Sequence, residues 1–148
     1  MKAINSFTLT MLSRSTNEAF ARSAVAAFVT CLDPTLEEIN DIKTAVSEAV
    51  TNCIVHGYRD TIGKISITVQ IFPDNVVAVK VRDAGCGIED IEKAKEPLFT
   101  TAGGERAGLG FAVIESFMDS LMVTSKVGKG TTVTMKKRLS VRVISHER

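Results

Sequence analysis

The sequence contains no tryptophan, one tyrosine, three prolines and three cysteines. An odd number of cysteines, with no CxxC spacing among Cys31, Cys53 and Cys86, argues against a disulfide framework. The two histidines, His56 and His146, lie outside any zinc-ligand pattern. We therefore expect free thiols and a reducing compartment, which favours a cytoplasmic protein.

The sequence also lacks a charge excess and a long apolar run. Its formal net charge of +1 gives no field that would attract nucleic acid. No run approaches the roughly 18 apolar residues that span a bilayer, and polar residues interrupt the N-terminal stretch MKAINSFTLTML, unlike a signal peptide. We predict that the protein makes no direct contact with nucleic acid and has no membrane segment.

A length of 148 residues, 45% of them apolar, is enough for one domain with a single core. We assign residues 1–140 to this domain and residues 141–148 to a mobile tail. Apolar periodicity predicts an edge strand, two long helices, a hairpin, a short helical turn, a third long helix and two closing strands. Their predicted ranges are about 5–12, 15–32, 33–56, 64–72, 75–83, 88–95, 109–121, 121–127 and 131–139. This order favours an α+β fold, a two-layer sandwich with helices on one face of a mixed, mostly antiparallel sheet.

The second helix has two possible starts and an unusual polar border. It is capped either at Asp33, followed by Pro34, or by a Thr35–Glu38 capping box. Beside its apolar arc, Glu48, Asn52 and His56 recur every four residues. Such a border is either a solvated flank or, alternatively, a carboxylate base and an amide oxygen ligand one turn apart. His56 fits a structural helix-end residue better than a catalyst.

The end of the second hairpin strand carries an aspartate that we expect to point inwards. If Val79 and Val81 face the core, Asp83 continues their phase and points towards the helices. A buried carboxylate needs a donor. Gly85 and Gly87 follow at once and permit close approach of a ligand to the backbone, although DAGCG is also an ordinary turn sequence.

Two glycine-rich segments complete the motifs. GGERAGLGF, residues 103–111, includes Arg106 and opens a helix at Gly108 to Gly110, where free N–H groups favour phosphate. Alone, such a glycine-rich segment is more often a flexible loop than a nucleotide lid. GKGTT, residues 128–132, is by itself most simply a hairpin turn.

The order of these motifs is more specific than any one of them. EAVTNxxxHG, DxGxG, PLFTT, GLGF and GKGT follow one another over about residues 35–135. This series resembles the ATP-binding domain shared by gyrase B, Hsp90, histidine kinases and MutL. The resemblance implies a Bergerat-type fold that binds ATP or ADP with Mg²⁺. It assigns adenine recognition to Asp83, the Mg²⁺ ligand to Asn52 and the catalytic base to Glu48.

The same resemblance implies roles for the remaining motif residues. Gly85 and Gly87 would shape the base pocket, and Thr131 would lie near adenine. Arg106 would offset charge on the γ-phosphate and so act in catalysis. The other nucleotide contacts implied by the motifs are Thr100, Thr101, Gly108, Leu109 and Gly110.

Among these ATPases, the sequence resembles the anti-sigma serine kinases of sporulating bacteria over nearly its whole length. The stretches NEAFARSAVAAF and RAGLGFAVIESFMD carry this resemblance together with the ATP motifs. It implies a homodimer that holds sigma F and phosphorylates a serine of an anti-anti-sigma factor, with Glu18 and Arg22 where partners dock. Two alternatives remain open: the kinase of the general stress sigma factor, and a nucleotide-gated binding module with negligible phosphotransfer.

Overall fold

The computed structural model describes residues 2–95 and 109–141. Five strands form one sheet in the order β1-β2-β3-β5-β4, and every neighbouring pair is antiparallel. The sheet, predicted as mixed and mostly antiparallel, is antiparallel at each described pairing. The strands are β1 (Asn5–Leu12), β2 (Lys64–Phe72), β3 (Val76–Asp83), β4 (Ser120–Lys126) and β5 (Gly130–Arg138).

The helical layer covers one face of this sheet, as the sequence predicts. Its helices are α1 (Asn17–Val29), α2 (Leu36–Asn52), the single turn α3 (Ile91–Ala94) and α4 (Leu109–Phe117). Helix α1 is followed by a 3₁₀ turn, Thr30–Leu32, and α2 is extended by a π-helical turn, Cys53–Gly57. A second 3₁₀ turn, Pro73–Asn75, joins β2 to β3. Helix α2 packs against both α1 and α4, so it lies at the centre of the layer.

The second of the two predicted caps begins α2. The Thr35 side chain accepts a hydrogen bond from the Glu38 backbone N–H (3.1 Å), and the Glu38 carboxylate accepts one from the Thr35 N–H (2.9 Å). Asp33 instead ends the preceding 3₁₀ turn in a left-handed conformation, with φ 54°. A reciprocal pair satisfies two of the free N–H groups at a helix start, which explains why Thr35 is the cap.

The core lies between the inner face of the sheet and the apolar arc of α2. The inward positions of β2 and β3 are all buried, while Lys80 and Arg82 on the outer face are exposed. The apolar arc that periodicity predicts for the second helix is buried at each position except Ile39, which is half-buried. The arc comprises Ile39, Ile42, Ala45, Val46, Ala49, Val50 and Cys53. This packing fixes the face of β3 that carries Asp83.

The third long helix is shorter than predicted. It ends at Phe117 rather than near residue 121, because β4 begins at Ser120. Asp119 makes two hydrogen bonds to β5: its N–H donates to the Lys136 carbonyl (2.9 Å), and its carboxylate accepts from the Arg138 N–H (2.7 Å). Sheet pairing therefore prevails over the helical pattern here.

Within the described ranges, each helix is too short or too polar to cross a membrane. Of the predicted tail, residues 142–148 lie outside the described residues, and Val141 is exposed. The division into a domain of residues 1–140 and a tail therefore stays a prediction.

Candidate functional site

An open cleft lies between α2, the end of β3 and the start of α4. Its volume is about 170 Å³. Apolar side chains form most of its walls, and polar groups reach it from α2, from β3 and from β5. Its lining includes Ala49, Asn52, Cys53, His56, Gly57, Asp83, Gly87, Ile88, Phe111, Thr131 and Val133. A few polar groups in an apolar cleft are typical of a small-molecule site.

Asp83 is the buried polar group at the floor of this cleft. It is 6% exposed and lies between Ile65 on β2 and Thr131 on β5 in the strand register. Its Oδ1 accepts a hydrogen bond from the Gly85 N–H at 2.8 Å. A methyl group on Gly57 would lie 2.9 Å from its Oδ2, so the backbone of the π turn also approaches the carboxylate closely. The predicted inward direction of Asp83 is confirmed.

Cys53 lies beside this carboxylate and is 3% exposed. Burial raises the pKa of its thiol well above the ordinary value of 9.0, and the charge of Asp83, together with a hydrogen bond to it, raises the pKa further. The thiol is therefore protonated at neutral pH, and a protonated thiol is a poor nucleophile. Cys53 is thus a small buried side chain of the core and not a reactive thiol.

The glycines after Asp83 allow the backbone to pass close to its neighbours. A Cβ on Gly85 would collide with the carbonyl oxygen of Gly57. Gly87 lines the cleft with φ 80°, a conformation that residues with side chains rarely adopt. Gly87 therefore forms part of the cleft wall, whereas Gly85 does not line the cleft and instead donates to the Asp83 carboxylate.

Asn52 lies on the α2 wall, and its Nδ2 is buried without a hydrogen-bond partner among the described residues. Gly110, in the first turn of α4, packs directly on this amide: a Cβ there would lie 2.8 Å from Nδ2 and 2.9 Å from Oδ1. An unsatisfied buried amide costs free energy unless a ligand pairs with it. The amide is therefore available to a ligand in the cleft.

The cleft side chains described here fit Mg²⁺ only if phosphate and water supply most of its ligands. Within the described part of the chain, no three His, Cys, Asp or Glu side chains cluster as a metal site. Mg²⁺ commonly takes one or two protein oxygens and completes its shell with phosphate and water. A single amide oxygen from Asn52 beside a bound polyphosphate meets this requirement.

Thr131 forms the wall opposite α2 and is 8% exposed. Its hydroxyl lies 2.8 Å from the Oγ of Ser125. The Ser125 hydroxyl donates to the Gly130 carbonyl (2.9 Å) and accepts from the Ile88 N–H (2.8 Å). Because the single Ser125 proton goes to Gly130, Thr131 donates to Ser125, and an oxygen lone pair of Thr131 remains for a ligand.

Glu48 lies one helical turn before Asn52 but borders a separate groove. That groove is lined by side chains of α1 and α2: Arg22, Asn40, Lys43, Thr44, Ser47 and Glu48. Arg22 pairs with Glu18 at 3.0 Å and also donates to the Ser47 hydroxyl at 3.3 Å. The two predicted docking residues therefore form one ion pair beside the groove that Glu48 borders.

Several predicted site residues cannot be compared with the structure. Thr100, Thr101, Arg106 and Gly108 lie outside the described residues, and Leu109 is described only as the first residue of α4. Sequence reasoning missed Ser125 and the apolar walls Ile88 and Val133, since each comes from a segment with an ordinary structural pattern. The inward phase of β5 was a signal for Val133, and Ser125 had none.

The fold and the cleft define a histidine kinase-like ATPase domain, and the family model of that description matches residues 12–137. A relative called anti-sigma F factor, from Thermoanaerobacter sp. (strain X514), is 59% identical, covering 93% of this chain and 96% of its own. Another, from Geobacillus kaustophilus, is 55% identical and covers 92% and 94%. The chain belongs to the anti-sigma F factor family of histidine kinase-like ATPase domains.

Solved structures share the fold at low sequence identity. The RsbU and RsbW domains of a Mycobacterium tuberculosis protein match with a TM-score of 0.66 and 21% identity, covering 91% of this chain and 32% of that one. Full-length ShkA in complex with AMPPNP matches with a TM-score of 0.55 and 17% identity, covering 72% and 23%. Both confirm the two-layer architecture.

Proposed function

We propose that this protein binds ATP in the cleft, phosphorylates a serine of an anti-anti-sigma factor, and holds sigma F in an ATP-dependent complex. The observation that carries the proposal is that one apolar cleft holds both the buried Asp83 carboxylate and the buried Asn52 Nδ2, which has no hydrogen-bond partner among the described residues. The carboxylate suits an amino group on a flat base, and the amide suits the phosphate end. The names of the relatives support the sigma-factor partner.

In the proposed reaction, the serine oxygen of the partner bonds to the γ-phosphorus while the bond from that phosphorus to the bridging oxygen breaks. ADP leaves, and Glu48 takes the hydroxyl proton. Mg²⁺, held through Asn52, would supply neutralisation of phosphate charge. Phosphoryl transfer depends mainly on positioning and on charge stabilisation, so a rigid helix is a suitable support for both side chains.

The groove beside Glu48 is the proposed entrance for the serine-bearing segment. Arg22 and Glu18 border it from α1, so a partner docked on this ion pair would bring its serine next to the proposed base. Arg106 remains the proposed cation for the γ-phosphate. We also propose that the protein is a homodimer and that it is cytoplasmic. The free cysteines are in keeping with the proposed compartment.

The test separates a kinase from a binding module. Purified protein is incubated with γ-labelled ATP, Mg²⁺ and each candidate partner, and the label is followed on each protein. We expect Glu48→Gln to lower transfer by roughly 10²- to 10⁴-fold, because a general base contributes about that much. ATP and sigma-factor affinities should change by less than about twofold, as the substitution removes charge but keeps the side-chain size.

Glu37→Gln is the matched control, since Glu37 is exposed in the first turn of the same helix. It should leave transfer unchanged. Full transfer in Glu48→Gln would remove Glu48 as the base. Absence of label in the wild-type reaction, with ATP and sigma factor still bound, would leave the nucleotide-gated binding module. Comparison of sigma F with the general stress sigma factor decides between the two partners.

A further inference from the structure

The hydroxyl of Tyr58 holds the peptide that follows the cleft aspartate. It accepts a hydrogen bond from the Ala84 N–H at 2.7 Å and donates one to the Lys64 carbonyl at 2.7 Å. Ala84 directly follows Asp83. One side chain therefore links the start of β2 to the end of β3, on the side of the sheet where the cleft lies.

The two peptides that follow are fixed as well. The Gly85 N–H donates to the Asp83 carboxylate, and the Cys86 N–H donates to the Gly57 carbonyl at 2.9 Å. Three successive N–H groups after Asp83 thus each have a partner, and two of these partners come from Gly57 and Tyr58. The direction of the Gly85 N–H, which orients the carboxylate, depends on how these neighbouring peptides are held.

Tyr58 is itself rigidly placed. It is 7% exposed, and its ring packs so closely on Gly63 that a Cβ there would collide with it. Gly63 is in turn paired with Ser13 through two hydrogen bonds, Ser13 N–H to the Gly63 carbonyl (2.8 Å) and Gly63 N–H to the Ser13 hydroxyl (3.0 Å). A buried ring with a satisfied hydroxyl is a stable support.

We propose that Tyr58 is a positioning residue for nucleotide-base recognition: by holding the Ala84 peptide it directs the Asp83 carboxylate towards an exocyclic amino group of the bound purine. This inference rests on the proposed ATP function of the cleft. It adds a specificity residue that has no contact with the nucleotide and acts through the backbone. The effect of Tyr58 is therefore on the choice of base and not on phosphate binding.

The experiment compares two nucleotides in Tyr58→Phe, which keeps the ring and removes the hydroxyl. Calorimetry measures the affinity for ATP and for purine riboside triphosphate, which lacks the 6-amino group. We expect ATP affinity to fall about 5- to 10-fold, the value of one hydrogen bond. Affinity for the purine analogue should change by less than about twofold. A purely structural role would weaken both nucleotides equally.

Thr68→Val is the matched control, because it removes a hydroxyl on the outer face of the sheet, where Thr68 pairs with Thr8 at 3.1 Å. It should leave both affinities unchanged. Asp83→Asn tests the adenine assignment of Asp83 separately from the positioning role of Tyr58. If it leaves ATP affinity unchanged, the adenine assignment fails and this inference with it.

If Asp83→Asn weakens ATP binding but Tyr58→Phe does not, or if Tyr58→Phe weakens both nucleotides equally, the positioning role alone is refuted. In the double variant, we expect the Tyr58 substitution to add less than about twofold to the effect of Asp83→Asn, since both act on one contact. Independent, multiplied effects would also overturn the role.

Discussion

The replacement of Asp83 by asparagine tests the cleft most directly. The side chain is nearly isosteric, so the strand and the glycine turn keep their packing, but one oxygen becomes an NH₂ group. Because the Gly85 N–H needs an acceptor at 2.8 Å, the amide oxygen must take the place of Oδ1. The NH₂ group then takes the position of Oδ2, so a donor replaces one of the two acceptor atoms that the proposal assigns to the amino group of adenine.

The expected loss follows from the contacts that change. A hydrogen bond to a charged group contributes about 1.5–3 kcal/mol, and two facing donors add a desolvation cost. We therefore expect ATP and ADP affinity to fall by about 2–3 kcal/mol, which is roughly 30- to 150-fold. Purine riboside triphosphate, which has no amino group, should lose much less.

Calorimetric titration with the three nucleotides measures this difference. Circular dichroism and thermal unfolding establish that the variant is folded. Asp74→Asn is the control, because Asp74 is exposed in the turn at the opposite end of β3 and its left-handed φ of 68° also suits asparagine. Wild-type ATP affinity in Asp83→Asn, or an equal loss for the analogue, would refute the assignment of Asp83 to adenine.

Two further predictions concern packing and capping. Gly110→Ala forces the Asn52 amide to move, since the new Cβ would lie 2.8 Å from it. Overpacking of about 1.4 kcal/mol would weaken Mg²⁺-dependent ATP binding roughly tenfold. Binding equal to wild type in Mg²⁺ titrations would contradict this prediction. Partial burial raises the pKa of Glu38, but hydrogen bonds from Ser140 and Thr35 outweigh this effect and lower the pKa below its ordinary value. The ionised Glu38 therefore stabilises the fold above about pH 4.5, and this stabilisation is lost on acidification. Glu38→Gln should lower the free energy of unfolding in urea by about 0.5–1 kcal/mol at pH 7 and by almost nothing near pH 3. A pH-independent difference would show that the charge is irrelevant.

Much of the cleft follows from strand phase, which the sequence displays plainly. Val79 and Val81 alternate with Lys80 and Arg82, and this alternation predicts the inward direction of Asp83, as the structure confirms. Burial on one face fixes the phase of a strand, so such a prediction needs only local information.

Contacts between distant segments could not be predicted in this way. Tyr58 reads as an aromatic residue after a helix, and its bond to Ala84 joins residues 26 positions apart, across the whole β2–β3 hairpin. The same holds for the separate groove at Glu48, because the packing of α1 against α2 determines which residues of α2 face Arg22. Periodicity specifies a face of each element but not the neighbour that covers it.

Helix boundaries show the competition between local and distant interactions. The capping box at Thr35 was among the predicted starts of α2, since its two bonds span only three residues. The end of α4 at Phe117 was not, because the Asp119 bonds that replace the last turn reach strand β5. Tertiary pairing overrides helix propensity where a strand is available.

The central position of β3 has a consequence for the order of folding. Its pairing with β2 closes a three-residue turn, whereas its pairing with β5 joins Asp83 to Thr131, about 50 positions later. Closing long loops costs chain entropy before any contact compensates for it. We therefore expect the first hairpin to form early and the opposite cleft wall to dock late, so that the binding site exists only in the completed fold.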